Sequence, residues 1–211
     1  MSAAATAGPL AEPPAARRRA EKNRTRERIL DAAVVAFAEQ GYEGTSLATV
    51  AQSVGLSQPG VLHHFRSKRG LLMAVLERRD QIDRIRFGMD SVDGRDVLDH
   101  LADLMTHNAT VPGMVQSFSV LTGESAAENH TAHDHFTRRY AGLRSHFAKM
   151  LTGAQERGEI RPEADCAAAA TEIIAMMDGL QLQWLHAPQE VDMVTVFRSF
   201  LDRLRADPNE T

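Results

Sequence analysis

Apolar residues recur every three to four positions along most of this chain, which is the spacing of one face of an α-helix. The alternation of apolar and polar residues that is typical of β-strands is not found, and neither is an internal repeat. Glycine and proline interrupt the helical pattern at intervals. The pattern therefore predicts an all-α fold of about nine helices. The predicted helices cover approximately residues 23–40, 46–53, 57–65, 67–87, 95–109, 113–126, 132–157, 163–186 and 191–206.

The stretch 45–65 is predicted to form two short helices joined by a tight turn. Thr45 or Ser46 is placed to cap the first of these helices, because both side chains can accept a backbone N–H. Gly55 lies in the turn, where a positive φ angle is needed. Pro59 suits the first turn of the second helix, where its missing N–H would have no partner anyway. This is the pattern of a helix-turn-helix.

The same pattern divides the chain into domains and tails. Residues 1–16 are rich in alanine and proline, show no apolar period and are predicted to be disordered. Residues 17–66 are expected to form the helix-turn-helix domain. A connecting helix at 67–87 is expected to be the only element that touches both parts. It leads to a larger helical domain at 88–206, which is expected to bind a ligand and to dimerise. Residues 207–211 form a short tail.

The distribution of charge separates the two domains. Residues 17–86 contain 14 lysines and arginines against 8 acidic residues, whereas residues 87–211 contain 10 against 19. Seven of the basic residues lie between Arg17 and Arg28. Only the N-terminal part is therefore suited to contact a polyanion such as nucleic acid. A charge imbalance that merely keeps the chain solvated is the alternative interpretation.

Composition places the chain among globular proteins rather than membrane proteins. Its 211 residues are 43% hydrophobic and 25% charged, and no apolar run reaches the length of a membrane-spanning helix. No signal peptide follows Met1. The single cysteine, Cys166, excludes an intramolecular disulfide, which suits a reducing compartment. We therefore expect a cytoplasmic protein that does not contact a membrane.

The second helix of the helix-turn-helix is predicted to enter the major groove of DNA, which admits one α-helix. Gln58 can hydrogen-bond to base edges, and Pro59 can contact a thymine methyl group. Phosphates are expected at the helix starts and along the basic flank. A packed helical hairpin without DNA contact is the alternative. The predicted DNA-contacting residues are Arg24, Arg26, Thr45, Ser46, Ser57, Gln58, Pro59, Gly60, His63, His64 and Lys68.

Residues 24–75 resemble the DNA-binding domain of the Tet repressor (TetR/AcrR) family. The most specific parts are FAEQGYEGTS, GLSQPG and HHFRSK, and MDGLQLQWL resembles the penultimate helix of some members. The resemblance implies a homodimeric, usually repressing regulator that a small ligand releases from double-stranded operator DNA. Members often have Thr and Tyr where this chain has Gly60 and Leu62. The contacts of those two side chains therefore do not carry over.

The region that follows is expected to supply a dimer interface and a pocket. The helices at 163–186 and 191–206 have wide apolar stripes and are expected to form a four-helix bundle with their symmetry mates. Completing the core of the monomer is the alternative role. The helices between residues 95 and 157 are expected to surround an unidentified small-molecule effector. The predicted lining residues are Met105, Asn108, Gln116, Phe118, Glu124, Phe136, Tyr140, Met177, Gln181 and Trp184.

The densest group of potential metal ligands is ENHTAHDH, with His130, His133 and His135. It lacks the HExxH spacing and has no cysteine nearby, so a polar helix start is the favoured interpretation. No nucleophile motif or phosphate-binding loop is found. We therefore predict no metal, no cofactor and no enzymatic activity. A DNA-binding dimer without a ligand-sensing role and, less favoured, an all-helical enzyme are the alternatives.

Overall fold

The computed structural model describes residues 14–86 and 97–206. Within these ranges the chain forms nine α-helices and no β-strand beyond an isolated bridge between Ile160 and Arg205. The all-α prediction is therefore confirmed. No helix among the described residues is long and apolar enough to cross a membrane. The helices are α1 (Pro14–Gly44), α2 (Leu47–Ser53), α3 (Gln58–Phe65), α4 (Lys68–Arg86), α5 (Val97–Ala109), α6 (Pro112–Ser125), α7 (His133–Glu156), α8 (Cys166–His186) and α9 (Met193–Asp202).

The first helix begins earlier than the apolar pattern predicted. We expected helical structure from about residue 23 and disorder through residue 16, but α1 begins at Pro14. Proline is tolerated in a first helical turn, and the alanines, arginines and lysine that follow are good helix formers. The prediction of disorder is therefore wrong for residues 14–16. Residues 1–13, 87–96 and 207–211 lie outside the described residues.

A kink at Gly41 separates the last turn of α1 from the rest of the helix. Gly41 has φ 67° and ψ −178°, so the chain leaves helical geometry directly after residue 40, where the first helix was predicted to end. The Tyr42 N–H donates a hydrogen bond of 2.8 Å to Oε2 of Glu124 on α6. A Cβ atom at Gly41 would overlap the Glu124 carboxylate. Glycine is thus required here both by the backbone angle and by the approach of α6.

Two hydrophobic cores organise the molecule. The first is built from α1 to α4 together with buried residues of α6 and α7, and Phe37 lies fully buried within it. The second is built from α5, α7, α8 and α9 around Phe197. Tyr140 on α7 packs against both cores. The helix-turn-helix therefore sits on a scaffold that is continuous with the C-terminal helices.

Two helices, α4 and α6, connect α1 to the C-terminal part. We expected the connecting helix at 67–87 to be the only such element, which is wrong. Gln116 on α6 donates to the Ala38 carbonyl at 3.2 Å, and Glu124 accepts from the Tyr42 N–H. On α4, the Arg78 guanidinium donates to Glu27 at 3.1 Å and to Asp31 at 2.8 Å. Both helices are therefore fastened to α1 by polar contacts.

Replacing Gly41 by alanine should destabilise the protein more than the same change at Gly55. Both glycines have a positive φ angle, which costs an alanine about 1–2 kcal/mol. Only at Gly41 would the new methyl group also displace the Glu124 carboxylate, because no atom lies within 4 Å of a Cβ at Gly55. An unpaired Tyr42 N–H adds roughly 1–3 kcal/mol. Urea unfolding measures both losses, and equal losses would mean that the Glu124 contact contributes nothing.

Candidate nucleic-acid interface and ligand cavity

Two serine caps and one glycine shape the helix-turn-helix. Ser46 caps α2 by accepting from the Thr49 N–H at 3.0 Å, and Ser57 caps α3 by accepting from the Gly60 N–H at 3.3 Å. Gly55 takes φ 69° in the turn between them. Each cap satisfies an N–H that a helix start would otherwise leave open. The two capping serines and Gly55 therefore fix the direction in which α3 leaves the turn.

The outer face of α3 carries the residues expected to read bases. Val61 and Phe65 are buried and hold the helix against the first core, while Gln58, Pro59 and His63 are exposed. Gly60 and His64 are half-buried. Ser57 is exposed but its hydroxyl already accepts from the Gly60 N–H. Gln58 is thus the longest uncommitted polar side chain on the first turn of α3.

Thr45 cannot contact phosphate through its side chain as expected. The residue is buried, and its hydroxyl lies 3.0 Å from the Ala36 carbonyl and 2.8 Å from the Gly41 carbonyl, to which it donates. This hydroxyl is the link between the kink of α1 and the start of α2. Ser46, which is exposed, is the residue of the pair that caps α2. The expected phosphate contact of the Thr45 side chain is therefore wrong, and a contact through the N–H groups at this helix start stays a prediction.

The basic residues around α3 differ in the exposure and the contacts of their side chains. Arg24 is exposed, whereas the Arg26 guanidinium lies 5.2 Å above the Phe65 ring at the end of α3. Lys68 is half-buried: its ammonium donates to the Glu43 carbonyl at 3.2 Å and sits 4.4 Å from the centre of the Tyr42 ring. These contacts hold the Lys68 ammonium against α1. The expected contact of Lys68 with phosphate stays a prediction.

His64 is surrounded by positive charge. Partial burial lowers the pKa of His64 most, and the charges of His63, Lys22 and Arg26 lower it further. An unperturbed histidine titrates near pH 6.5, so a lowered pKa leaves this imidazole neutral at pH 7. We therefore expect His64 to meet a phosphate as a hydrogen-bond donor rather than as a cation.

A cavity of about 770 Å³ lies between α4, α5, α6, α7 and α8. Its volume falls in the range of small-molecule sites, roughly 300–1,000 Å³. Most of its wall is apolar and comes from α5, α7 and α8. The apolar lining residues are Leu101, Leu104, Phe118, Phe136, Leu143, Phe147, Met150, Ile174, Met177 and Leu182.

One end of the cavity is polar, and two arginines lie there over the ring of Phe118. The guanidinium carbons of Arg79 and Arg139 lie 5.1 Å and 5.6 Å from the centre of this ring. Arg139 forms an ion pair with Asp80, and Arg79 donates to Asn108 at 3.0 Å. Cations this close to an aromatic ring are attracted by its quadrupole. The buried Arg79 and the half-buried Arg139 are therefore held against the same ring at the cavity wall.

A tyrosine–aspartate pair lies beside these cations. The Tyr140 hydroxyl donates to Asp178 at 2.6 Å. Burial, followed by the charge of Arg79, lowers the pKa of Arg139 to about 10. Desolvation raises the pKa of Asp178 although this residue faces the open cavity, and burial followed by the Asp178 hydrogen bond raises the pKa of Tyr140. At pH 7 the tyrosine therefore keeps its proton and Arg139 keeps its charge.

Comparison with known proteins agrees with this geometry at both ends of the chain. Residues 29–75 match the model for "Bacterial regulatory proteins, tetR family", and residues 118–206 match the C-terminal model for the "BetI-type transcriptional repressor". The chain belongs to the TetR family. Members of this family are DNA-binding transcriptional regulators, and the first match covers the whole of α2 and α3.

Individual TetR proteins resemble the chain along nearly its whole length. The transcriptional regulator TtgR of Pseudomonas putida is 27% identical over 203 residues, covering 91% of this chain and 97% of TtgR. The fold matches a putative regulator from Saccharomonospora viridis in complex with choline (TM-score 0.70, 24% identity, 86% of this chain and 95% of that chain). It also matches a complex of SmeT with triclosan (TM-score 0.74, 21% identity, 87% and 93%).

Six of the ten residues predicted to line a ligand pocket do line this cavity of the TetR fold, and four do not. Met105 is fully buried in the second core. Gln116 and Glu124 face α1, to which they hydrogen-bond. Trp184 lines a smaller hollow at the start of α9. The six lining residues are Asn108, Phe118, Phe136, Tyr140, Met177 and Gln181.

The three clustered histidines contact different parts of the structure. His130 lies 3.8 Å from Glu124 and edge-on to Tyr42. His133 lies 2.9 Å from the Ser125 carbonyl, and His135 lies 3.5 Å from Asp80 at the cavity. Among the described residues, no group of three or more potential ligands is close enough to hold a metal ion. The cluster in the sequence is therefore divided among separate roles in packing and in the cavity.

Replacing Gln58 by alanine should reduce the preference for one base pair per half-site by about 1–3 kcal/mol, because Gln58 is the uncommitted side chain facing outward. Fluorescence anisotropy with duplexes that vary at single positions measures this preference. Gln40→Ala is the matched control, since Gln40 is also exposed but lies near the far end of α1. Unchanged affinity and preference in Gln58→Ala would show that another residue of α3 reads the bases.

Proposed function

We propose that this protein is a repressor that binds a palindromic operator as a homodimer and is released from it by a small molecule. The observation that carries the proposal is the capped, outward-facing α3 on a basic domain, in a chain that also encloses a cavity of about 770 Å³. The match of its C-terminal part to a repressor model supports repression rather than activation.

Exposed apolar side chains on α8 and α9 support dimerisation. Leu182 on α8 and Val196 on α9 are 50% and 47% exposed, and Phe200, one turn along α9 from Val196, is half-buried. Apolar side chains of this size on adjoining helices suit a self-complementary interface. A dimer would present two copies of α3 to half-sites about 34–36 Å apart, which gives the specificity that one copy lacks.

The cavity suits an amphipathic ligand. Its apolar wall would cover an aromatic or branched aliphatic body, while Asn108, Tyr140, Asp178 and Gln181 offer hydrogen-bond partners for a polar group. Two proteins of the same fold have been solved with ligands as different as choline and triclosan. These relatives support ligand sensing by the fold, and the lining residues of this chain determine which ligand is accepted.

Both helices that fasten α1 also line the cavity, which supports a route from ligand to DNA. On α6, Phe118 and Thr122 face the cavity while Gln116 and Glu124 hold α1. On α4, Arg79 lines the cavity, and the neighbouring Arg78 hydrogen-bonds to α1. A ligand that repositions either helix would change how α1 presents the helix-turn-helix.

Val196→Asp should convert the dimer into a monomer and weaken operator binding, because an unpaired carboxylate would be buried in the interface. Val35→Asp is the matched control: Val35 is also an exposed helical valine, 53% accessible, but lies on α1. Sedimentation velocity gives the oligomeric state of both variants. A Val196→Asp protein that stays dimeric would place the interface elsewhere.

Gly142→Phe should abolish ligand binding while leaving DNA binding intact. Gly142 lines the cavity, and no atom lies within 4 Å of a Cβ there, so the ring can enter the empty space. Gly113→Phe is the control, because Gly113 is equally open but lies outside the cavity. A thermal-shift screen with amphipathic small molecules, followed by operator-release assays, measures the response.

A screen in which no compound stabilises the wild-type protein or releases it from DNA would favour the alternative of a DNA-binding dimer that senses no ligand. Equal responses of Gly142→Phe and wild type to the same compound would show that the compound binds outside the cavity.

A further inference from the structure

The ion pair between Arg139 and Asp80 lies in the wall of the ligand cavity and joins two of the helices around it. Arg139 is on α7 and Asp80 is on α4, and both residues line the cavity. Their side chains are only 19% and 16% exposed, so most of the pair is withdrawn from solvent. A ligand in the cavity can therefore contact both partners of a largely buried ion pair.

A second arginine raises the positive potential around this pair. The guanidinium carbons of Arg79 and Arg139 lie 5.1 Å and 5.6 Å from the centre of the Phe118 ring, so they are at most about 11 Å apart. Burial, followed by the charge of Arg79, lowers the pKa of Arg139 to about 10. An anion that enters the cavity here would offset the repulsion between the two cations.

Both carboxylates beside Arg139 already have partners in the chain. Asp80 is paired with Arg139 and lies 3.5 Å from His135. Asp178 accepts a hydrogen bond of 2.6 Å from the Tyr140 hydroxyl. Burial raises the pKa of Asp178, and the Tyr140 hydrogen bond and the charge of Arg139 oppose that rise. A cationic ligand at Asp178 would therefore be repelled by Arg139, whereas an anionic ligand would be attracted to it.

We propose that the effector is an organic anion, a carboxylate on an apolar body, which displaces Asp80 as the partner of Arg139. The proposal rests on the proposed ligand sensing by this cavity. A guanidinium group matches a carboxylate with two parallel hydrogen bonds, which makes arginine the suited residue for this contact. The apolar wall of the cavity covers the body of the ligand.

Displacement of Asp80 gives the ligand a means of acting on α4. Asp80 loses its ion pair in a position that is mostly buried, which is costly unless the carboxylate moves toward water. On the same helix, Arg78 donates hydrogen bonds to Glu27 and Asp31 of α1. A shift of α4 that accommodates Asp80 therefore also moves the residue that holds α1.

Compounds that differ only in charge test the ligand class. Octanoate, phenylbutyrate and naphthylacetate are each compared with the corresponding primary amide and primary amine by isothermal titration calorimetry at pH 7. The carboxylates should bind roughly tenfold more tightly than their amides, because a hydrogen bond between charged groups is stronger than one with a neutral partner. The amines, which are cations at this pH, should bind more weakly than the amides.

Two substitutions at the ion pair should change carboxylate binding in opposite directions. Arg139→Gln removes the proposed partner and should weaken the binding of carboxylates about 10–100-fold while changing that of the amides little. Asp80→Asn removes the competing charge and should strengthen carboxylate binding about tenfold. Arg144→Gln is the matched control, because Arg144 is an exposed arginine of α7 outside the cavity. A loss of packing alone would weaken binding in both ion-pair variants.

Release from DNA is the second readout. The probe is the duplex that the wild-type protein itself selects from a random library, and the ligand is whichever of the three carboxylates binds wild type most tightly. Fluorescence anisotropy gives the operator affinity with and without saturating ligand. Asp80→Asn has no charge to displace from Arg139, so the ligand should reduce its operator affinity by a several-fold smaller factor than that of wild type, although it binds more tightly.

Amides or amines that bind as tightly as the carboxylates would overturn the proposal, and so would carboxylates that do not bind at all. Weaker carboxylate binding by Asp80→Asn, or operator release equal to that of wild type, would overturn the exchange of partners at Arg139. These results leave ligand sensing by the cavity intact. If the wider screen of amphipathic molecules yields no ligand of any charge, it is the proposed ligand sensing that fails.

Discussion

The hydrogen bond from the Tyr42 N–H to Glu124 joins the two parts of the molecule where α1 departs from regular helical geometry. Gly41 allows it, because its positive φ angle turns the chain and its missing Cβ leaves room for the carboxylate. The Thr45 hydroxyl donates to the Gly41 carbonyl, and α2 starts directly afterwards. The placement of the helix-turn-helix therefore depends on where α6 holds the end of α1.

That dependence gives the fold a physical route between its two sites. Thr122 faces the cavity and Glu124, two residues further on, faces α1, so one rigid turn of α6 contacts both. On α4, Asp80 belongs to the polar end of the cavity, and Arg78 is ion-paired with Glu27 and Asp31 of α1. Packed helices of this kind shift as bodies rather than deform continuously, which suits a two-state response to a ligand.

The sequence predicts structure correctly where local chemistry determines it. It does not where packing between helices determines which way a side chain faces. Serine caps, Gly55 and Pro59 are local signals, so the register of α3 could be read directly. Glu124 was expected in the pocket, but it lies about 200° around α6 from Thr122 and points at α1. Arg79 and Asp80 were missed because charged residues on a helix are usually solvated; the available signal was that Arg79 continues the apolar spacing of Leu72, Val75 and Leu76. Helix propensity, rather than apolar period, was the signal for the early start of α1.

The most direct test of a ligand-controlled DNA reader is reciprocal linkage. The dissociation constant of a cavity ligand is measured with and without saturating operator DNA, and that of the operator with and without saturating ligand. Two coupled sites must show the same factor in both directions, and typical couplings are about 5–150-fold. Release from DNA by a ligand, as proposed, requires weaker ligand binding on DNA and a matching loss of DNA affinity with ligand. A ligand that binds equally tightly in both states would contradict the account.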